Sequence, residues 1–249
     1  MKSNISTVIA AYQDENIIDD ALKSVTWTDE IIVIFANNTV DKSPEIAKLY
    51  TKKIYYSPND LGQQRNVGIY QAISKWILIL DTDERVSNGL KNELLKISAS
   101  ENNIQNGYYI PFENHFLNRR VKWGNQNYSK KRFFKKEKGH VEFSKIHPEI
   151  IIENPVGKLR NSIIHYSFRS LGQTLEKFTY YASVEAEELF KIGERVNLKK
   201  LTLYPLHMFW AIFVKDEGYR DGVWGLGLAL CFTYYEFAKY FLLLVKQLK

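Results

Sequence analysis

Two aspartates one residue apart, Asp81 and Asp83, directly follow the apolar run 76–80. A short apolar run bounded by polar residues predicts a strand buried on both faces, and ligands of parallel sheets bind just beyond the carboxyl ends of such strands. Carboxylates at positions i and i+2 can share one hard divalent cation, which prefers oxygen ligands and often sits on phosphates. Asp-x-Asp also occurs in ordinary acidic turns, so the pair alone leaves both a metal site and a plain turn open.

The elements before this pair alternate between strand and helix. The apolar runs 5–11, 31–35 and 53–56 predict strands. Helices are predicted for residues 17–25, for a segment that Ser43 caps with Pro44 at its first position, and for residues 62–74. Such alternation indicates a mostly parallel sheet with helices on both faces. The predicted fold class is therefore α/β, with Asp81 and Asp83 at the carboxyl edge of the sheet.

The rest of the chain follows a different pattern. A helix is predicted for 87–97, separate strands for 107–112, 131–134, 149–152 and 162–166, and a helix for 171–192. Two very apolar segments follow, 201–214 and 223–245. This order predicts a sheet domain followed by a helical extension.

The two apolar segments are rich in aromatic residues and flanked by lysine and arginine. The first is shorter than the about 20 residues that a membrane span needs, and the second contains Glu236 and Lys239, which are costly near a bilayer centre. Aromatic-rich amphipathic helices with basic flanks commonly lie in the membrane interface. Packing on the core, a homodimer contact and a true span remain the alternatives.

The amino-acid composition limits the class of protein and the kinds of site that the chain can have. A chain of 249 residues with 45% hydrophobic and 25% charged residues is globular rather than disordered, as one domain or one domain with an appendage. The single cysteine, Cys231, excludes an internal disulfide and a cysteine-based zinc site. The first strand is predicted from residue 5, which leaves no room for a signal peptide, so we expect a cytoplasmic location.

The net charge of +6 is concentrated between residues 119 and 138, where nine basic residues stand against the single acid Glu137. Aromatic residues are interleaved with them. Such a patch suits an anionic partner, whether nucleic acid, phosphorylated glycan or anionic lipid, and a solvated basic face is the alternative.

Four segments in order resemble family 2 glycosyltransferases of the GT-A fold: residues 8–12 with Glu15-Asn16, residues 29–34, Gln64-Arg65-Asn66-x-Gly68, and residues 76–86. Four later segments are similar to transferases of lipopolysaccharide core and other cell-surface glycans: Arg132-Phe133-Phe134, His147-Pro148-Glu149, His165-Tyr166-Ser167 and Gly218-Tyr219-Arg220-Asp221-Gly222. The resemblance covers nearly the whole chain. It implies a GT-A domain at 1–168, divided into a nucleotide-sugar half (1–100) and an acceptor half (101–168), and a helical region at 169–249.

The resemblance implies a nucleoside-diphosphate sugar donor, uridine-linked, and Mg²⁺ or Mn²⁺ as the cofactor. The ion would be held by Asp83, with Asp81 on the ribose or the metal and His147 as a third ligand or as the group that orients the base. The donor would contact Ala11, Tyr12, Glu15, Asn37, Gln64, Arg65, Asn66, Asp81 and Thr82. The acceptor, or another anionic partner, would meet Arg119, Arg120, Lys122, Trp123, Lys131 and Arg132.

In an inverting transfer a carboxylate must take the proton of the attacking hydroxyl. The resemblance implies Glu149 for this role, with Glu142 as the fallback. Phe35 stands where the family usually has an aspartate that contacts the nucleotide, which leaves Asn37 or Asn38 as a substitute or a different recognition of the base.

The function expected from the sequence is an inverting, metal-dependent glycosyltransferase at the inner face of the cytoplasmic membrane, acting on a lipid-linked or cell-surface glycan precursor. A peripheral membrane contact and a homodimer are its expected partners, and nucleic acid is not. The alternative is a non-catalytic binder of polyanions or membranes on an inactive scaffold. A nucleotidyltransferase ranks low because residues 8–16 lack the glycine of a phosphate-binding loop.

Overall fold

The computed structural model describes residues 3–142 and 148–248. The strands are β1 (Ile5–Ala11), β2 (Glu30–Ala36), β3 (Ile54–Ser57), β4 (Trp76–Asp81), β5 (Glu84–Val86), β6 (Gly107–Phe116), β7 (Arg119–Val121), β8 (Ser129–Lys135), β9 (Gly139–Val141), β10 (Ile150–Ile152), β11 (Val156–Lys158) and β12 (Ile163–Phe168). The α-helices are α1 (Ile18–Ser24), α2 (Ser43–Lys48), α3 (Leu61–Gln71), α4 (Asn88–Ala99), α5 (Leu171–Lys191), α6 (Leu198–Trp210) and α7 (Gly222–Gln247).

The large sheet runs in the order β3-β2-β1-β4-β8-β6-β12-β5. Its first four strands are parallel to one another, and β8 joins β4 antiparallel. The apolar strands β1, β2 and β4 are buried along their length because helices cover both faces. The structure confirms the predicted α/β fold, with a sheet that is parallel at strands β1 to β4, where a ligand site was expected. It also confirms the predicted helical C-terminal stretch.

The chain divides into two compact units, residues 1–112 with 128–165 and residues 113–127 with 166–249. The domain boundary expected at residue 168 stays a prediction. The first unit holds two apolar clusters, and Trp76 stacks on Phe133 in one of them with ring centroids 4.6 Å apart. In the other, Gly68 lets α3 approach the sheet, since a Cβ there would lie 2.3 Å from Val8 Cγ1.

The second unit is mainly helical. The side chains of Phe178 on α5 and Phe232 on α7 pack with ring centroids 4.9 Å apart. Tyr204 on α6 meets Tyr240 on α7 edge-to-face at 5.5 Å. Within the described residues, one stretch, Gly218–Gln247, is long and apolar enough to cross a membrane, judged by length and composition alone.

Local details differ from the sequence predictions at a few points. The short strands β5, β7, β9 and β11 were not predicted, because three residues are too few to show a period of two. Ser43 does not cap α2 with its side chain; its hydroxyl instead donates to Asp41 Oδ1 at 2.7 Å.

Candidate active site

The predicted position of the site is set by the strand order. Strands β1 and β4 are neighbours, but the chain leaves β1 for β2 on its other side, so the order reverses between them. Ala10 of β1 stands opposite Asp81 of β4 in register. Crevices outside the carboxyl ends of strands at such a reversal are the usual ligand sites of open α/β sheets.

Asp81 lies between two arginines. Its Oδ1 is 2.5 Å from Arg65 Nη2, and its Oδ2 is 2.6 Å from Arg132 Nη2. Burial alone would raise the pKa of Asp81, but the charges of Arg132 and Arg65 and the hydrogen bonds they donate outweigh it and hold the pKa well below its usual range. Asp81 is therefore an anion at every physiological pH, and both of its oxygens are engaged by guanidinium groups.

Glu84 is the most deeply buried carboxylate of the turn after β4. Its Oε1 accepts from Arg132 Nη2 at 2.7 Å, and its Oε2 accepts from the backbone N–H of Asp81 at 3.0 Å. Burial raises the pKa of Glu84, and the nearby Asp81 charge adds to this against the lowering effect of Arg132. Arg132 thus supports two carboxylates that would otherwise repel each other.

Asp83 points to a different neighbour. Its Oδ2 lies 3.5 Å from His165 Nε2, and Asp83, Glu84 and His165 offer ligand atoms that all lie within 4.8 Å of one another. The pairing of β5 with β12 sets this geometry, because His165 stands opposite Glu84 in register. The rings of His165 and Phe112 meet in an edge-to-face arrangement, with centroids 5.6 Å apart. Asp83 and His165 are both partly exposed, so a ligand can reach them.

Asp14 joins this site from the loop after β1. Its Oδ2 accepts from the N–H of Tyr12 at 3.0 Å, and it shares a hydrogen bond with the Thr82 hydroxyl. Burial raises the pKa of Asp14 to about 6, and the charges of Asp83 and Asp41 add to the rise. A carboxylate that titrates near neutrality thus lies beside the Asp-Thr-Asp turn.

The residues expected to hold the nucleotide flank this position. Ala11 is buried at the end of β1, whereas Tyr12 is exposed, and its hydroxyl accepts from Asn38 Nδ2 at 3.4 Å. Asn37 is exposed just beyond β2. Glu15 Oε2 accepts from the N–H of Lys42 at 3.1 Å, which ties the loops after β1 and β2 together.

The segment Gln64-Arg65-Asn66 on α3 has three different roles. Arg65 is buried and paired with Asp81, so it is not a surface charge of the helix. Gln64 is also buried, and its Nε2 has no hydrogen-bond partner among the described residues. Asn66 forms two hydrogen bonds with the backbone of Val141, at 2.7 and 2.9 Å, and so holds β9 against α3.

The two candidate bases lie on either side of residues 143–147, which are not among the described residues. Glu142 and Glu149 are both exposed, and the N–H of Glu142 donates to the carbonyl of Glu149 at 2.8 Å. His147 lies outside the described residues. The roles of these three residues stay predictions.

The six residues expected to meet the acceptor fall into both units. In the second unit Arg119, Arg120 and Lys122 are exposed, and Trp123 lies under the Arg220 guanidinium at 3.9 Å. In the first unit Lys131 is half-buried. Arg132 departs from the expected surface position because it is only 4% exposed and committed to Asp81 and Glu84.

Sequence reasoning gave no role to Asp14, Glu84 or His165. Asp14 lies three residues before the helix predicted for residues 17–25, and Glu84 is one residue of the segment 76–86 that carries the resemblance. His165 belongs to one of the segments that carry the resemblance, but it lies 82 positions after Asp83, and nothing in the sequence links the two residues. A register between two short antiparallel strands brings it there, and spacing alone cannot reveal such a register.

The sequence comparisons with known proteins agree on a class. The profile of glycosyl transferase family 2 matches residues 6–149. An uncharacterized glycosyltransferase of Rickettsia typhi is 28% identical over 257 residues, covering 94% of this chain and 85% of the relative. The lipopolysaccharide core biosynthesis glycosyltransferase LpsC of Rhizobium meliloti is 22% identical over 239 residues, covering 92% and 85%. Among solved structures, S. aureus TarS 1-349 in complex with UDP-GlcNAc aligns with a TM-score of 0.46 and 12% identity, covering 96% and 90%.

Proposed function

The chain belongs to glycosyl transferase family 2, and we propose that it is an inverting, metal-dependent enzyme that uses a uridine-linked sugar and acts on a lipid-linked or cell-surface glycan precursor. Its fold is the GT-A fold expected of that family, and its activity is glycosyl transfer from a nucleotide sugar. The proposal adds the metal, the stereochemical course, the donor base and the acceptor.

The observation that carries the proposal is the cluster of Asp83, Glu84 and His165 at the carboxyl edge of the sheet. Both oxygens of Glu84 already accept hydrogen bonds, so Asp83 and His165 are the side chains that would hold the ion. One carboxylate and one imidazole leave positions open for diphosphate oxygens and suit Mn²⁺, with Mg²⁺ as the harder alternative. When bound, the ion supplies positive charge beside the departing diphosphate.

The buried polar groups nearby support an anionic donor. The Nε atoms of Arg65 and Arg132 and the Nε2 of Gln64 are buried donors that no described residue satisfies. Buried donors in proteins are normally paired. A diphosphate or ribose that reaches this edge would complete their hydrogen bonding.

The acceptor hydroxyl must lose its proton to a carboxylate as it attacks the anomeric carbon from the side opposite the leaving group. We assign this role to Glu149, with Glu142 as the fallback. Glu149→Gln keeps the size of the side chain and removes the basic oxygen. We expect it to lower transfer by at least about 100-fold, the usual contribution of general base catalysis, and to leave donor binding unchanged; normal turnover in this variant rules out the role.

The proposed acceptor rests on the relationship to LpsC, which is named for lipopolysaccharide core biosynthesis and aligns over 92% of the chain. Such precursors are built at the inner face of the cytoplasmic membrane, and we place the enzyme there as a peripheral protein.

Donor binding in the presence of Mn²⁺ tests the core of the proposal. We expect one of a panel of nucleotide sugars, with the uridine-linked members tested first, to raise the melting temperature of the protein in the presence of Mn²⁺ and not after chelation. Asp83→Asn should abolish this shift, and Glu101→Gln, which removes an exposed carboxylate in a turn away from β4, should not. A panel without any binder, together with salt-sensitive polyanion binding that Asp83→Asn leaves intact, favours the non-catalytic alternative.

A further inference from the structure

Helix α7 exposes mainly apolar and aromatic side chains. The most exposed are those of Val223, Leu226, Leu230, Tyr234, Phe237 and Phe241. They recur at intervals of three and four residues, so they form one stripe along the helix. A surface helix of a globular protein normally exposes charged and polar residues on this face.

The charged residues of α7 point the other way. Glu236 is 7% exposed, and its carboxylate pairs with Lys239 Nζ at 2.7 Å. Lys239 also lies 3.6 Å from Glu185 on α5, and Lys246 pairs with Glu187 on the same helix at 2.6 Å. Helix α7 is therefore amphipathic with the opposite orientation to that of a normal surface helix. Its ion pairs face α5, and its apolar stripe faces outward.

Helix α6 packs on α7 and has an exposed apolar stripe of its own. Leu203, Leu206 and Trp210, with Val214 in the π-helical turn that follows α6, are exposed at the same three- and four-residue intervals. Lys199 stands one turn before Leu203, and Lys215 follows Val214 directly. We call the two stripes together the α6–α7 apolar face. Helix α5 provides the contrast, because its exposed residues include Glu176, Glu188 and Lys191.

The charges around this face favour one occupant. Between residues 198 and 248 the exposed basic residues are Lys199, Lys215 and Arg220. The acidic side chain of Glu217, which is 43% exposed, pairs with Arg220 at 2.9 Å and leaves the two lysines in excess. A symmetric dimer buries the same patch on both subunits, so the lysines of this face would meet a copy of a face on which neither α6 nor α7 exposes a carboxylate to pair with them. An anionic lipid surface complements the lysines, and the exposed aromatic rings of Trp210 and Tyr234 suit the headgroup layer.

We propose that the α6–α7 apolar face docks in the plane of an anionic bilayer, with Lys199 and Lys215 at the lipid phosphates. The face gives a physical basis to the membrane location included in the proposed function, yet lipid binding can be measured without any sugar transfer. The helix lies on the bilayer rather than across it because its inner side is occupied: Leu228 and Leu243 are buried inside the unit, as is Glu236. A span would have to expose that carboxylate to hydrocarbon or unpack α5 from α7.

The test is sedimentation of the full chain with vesicles of phosphatidylcholine, with and without phosphatidylglycerol. Two substitutions form a matched pair: Phe237→Glu alters the stripe of α7, and Phe190→Glu alters an equally exposed ring on α5, the two side chains being 42% and 45% exposed. We expect the wild-type protein to bind vesicles only when they contain phosphatidylglycerol. Phe237→Glu should lower this binding roughly tenfold, because the exposed part of the ring leaves the interface. Phe190→Glu should leave it unchanged. Replacing Lys199 and Lys215 together by Gln should weaken it by about 30-fold, at about 1 kcal/mol per lysine.

Four outcomes overturn the proposal. The protein fails to bind phosphatidylglycerol vesicles, the two Phe variants bind equally, alkaline carbonate fails to extract the bound protein, or a lipid-free dimer is detected by light scattering and dissociates in Phe237→Glu. Thermal unfolding shows whether Phe237→Glu is folded. Its donor-induced melting shift without vesicles should match the wild type, so a failure of lipid binding and a failure of donor binding are read separately.

Discussion

Removal of the guanidinium that joins Asp81 to Glu84 tests the electrostatic design of the site most directly. In Arg132→Met the aliphatic stem remains and both ion pairs of Arg132 are lost. Asp81 keeps its second partner, Arg65, at 2.5 Å. Among the described residues, the hydrogen-bond donor that Glu84 keeps is the backbone N–H of Asp81, at 3.0 Å. The variant therefore leaves one deeply buried carboxylate without its guanidinium partner.

The size of the loss follows from what Glu84 can do next. Breaking a buried ion pair by removing one partner typically costs about 3–5 kcal/mol. Glu84 can limit this cost by binding a proton, and taking its ordinary pKa of 4.5 as the unfolded value, protonation at pH 7.5 costs about 4 kcal/mol at 1.36 kcal/mol per pH unit. At pH 5.5 the same protonation costs about 1.4 kcal/mol. We expect a destabilisation of about 3–4 kcal/mol at pH 7.5 that shrinks by about 1.5–2.5 kcal/mol at pH 5.5.

Equilibrium unfolding in urea at the two pH values measures this. The direction is fixed by the raised pKa of Glu84, since a carboxyl whose folded pKa is raised loses stability as the pH increases. Lys131→Met, on the same strand with its Nζ 5.7 Å from the Tyr109 ring centre, is the control and should change stability by less than about 1 kcal/mol. A loss in Arg132→Met below about 1 kcal/mol at pH 7.5, or one that does not depend on pH, refutes the reasoning.

Two further predictions concern Asp14 and the glycines. Because burial raises the pKa of Asp14 to about 6, its ionisation opposes folding by up to about 3 kcal/mol as the pH rises from about 4 to 6. Asp14→Asn should remove that pH dependence, and melting curves with a chelator at pH 4.5 and 7.5 that run parallel to the wild type contradict it. Gly68→Ala should destabilise the fold by about 1–3 kcal/mol, because its Cβ would lie 2.3 Å from Val8 and 2.6 Å from Ile34. Gly172→Ala, whose Cβ would meet no described atom within 4 Å, should stabilise α5 by about 0.5–1 kcal/mol. Equal changes in the free energy of unfolding for Gly68→Ala and Gly172→Ala, measured by chemical unfolding, contradict this account.

The parts of the fold that local pattern controls were predictable. Strand β1 matches its predicted residues, and β4 extends only one residue past them, to Asp81, because buried apolar runs bounded by polar residues leave little freedom. Arg65, Arg132 and His165 are different, because each reaches the turn after β4 from a distant part of the chain. The outward apolar stripe of α7 could not be predicted for a related reason. The sequence shows Glu236 and Lys239 among apolar residues, but it does not show that Lys239 and Lys246 face Glu185 and Glu187 on α5.

The same contacts support our proposal that Asp83, rather than Asp81, anchors a cation. The turn from β4 to β5 is closed at both ends, by Glu84 accepting the N–H of Asp81 and by Arg85 Nη1 donating to the carbonyls of Thr82 and Glu84 at 2.7 and 2.8 Å. Asp81 and Glu84 are turned inward to Arg132, which neutralises part of their charge. Asp83 is the carboxylate that this turn presents to His165. Because the backbone of this turn is fixed in this way, the Asp83 side chain would need little rearrangement when a donor and a cation bind. Small rearrangement on binding is the condition for a preorganised site.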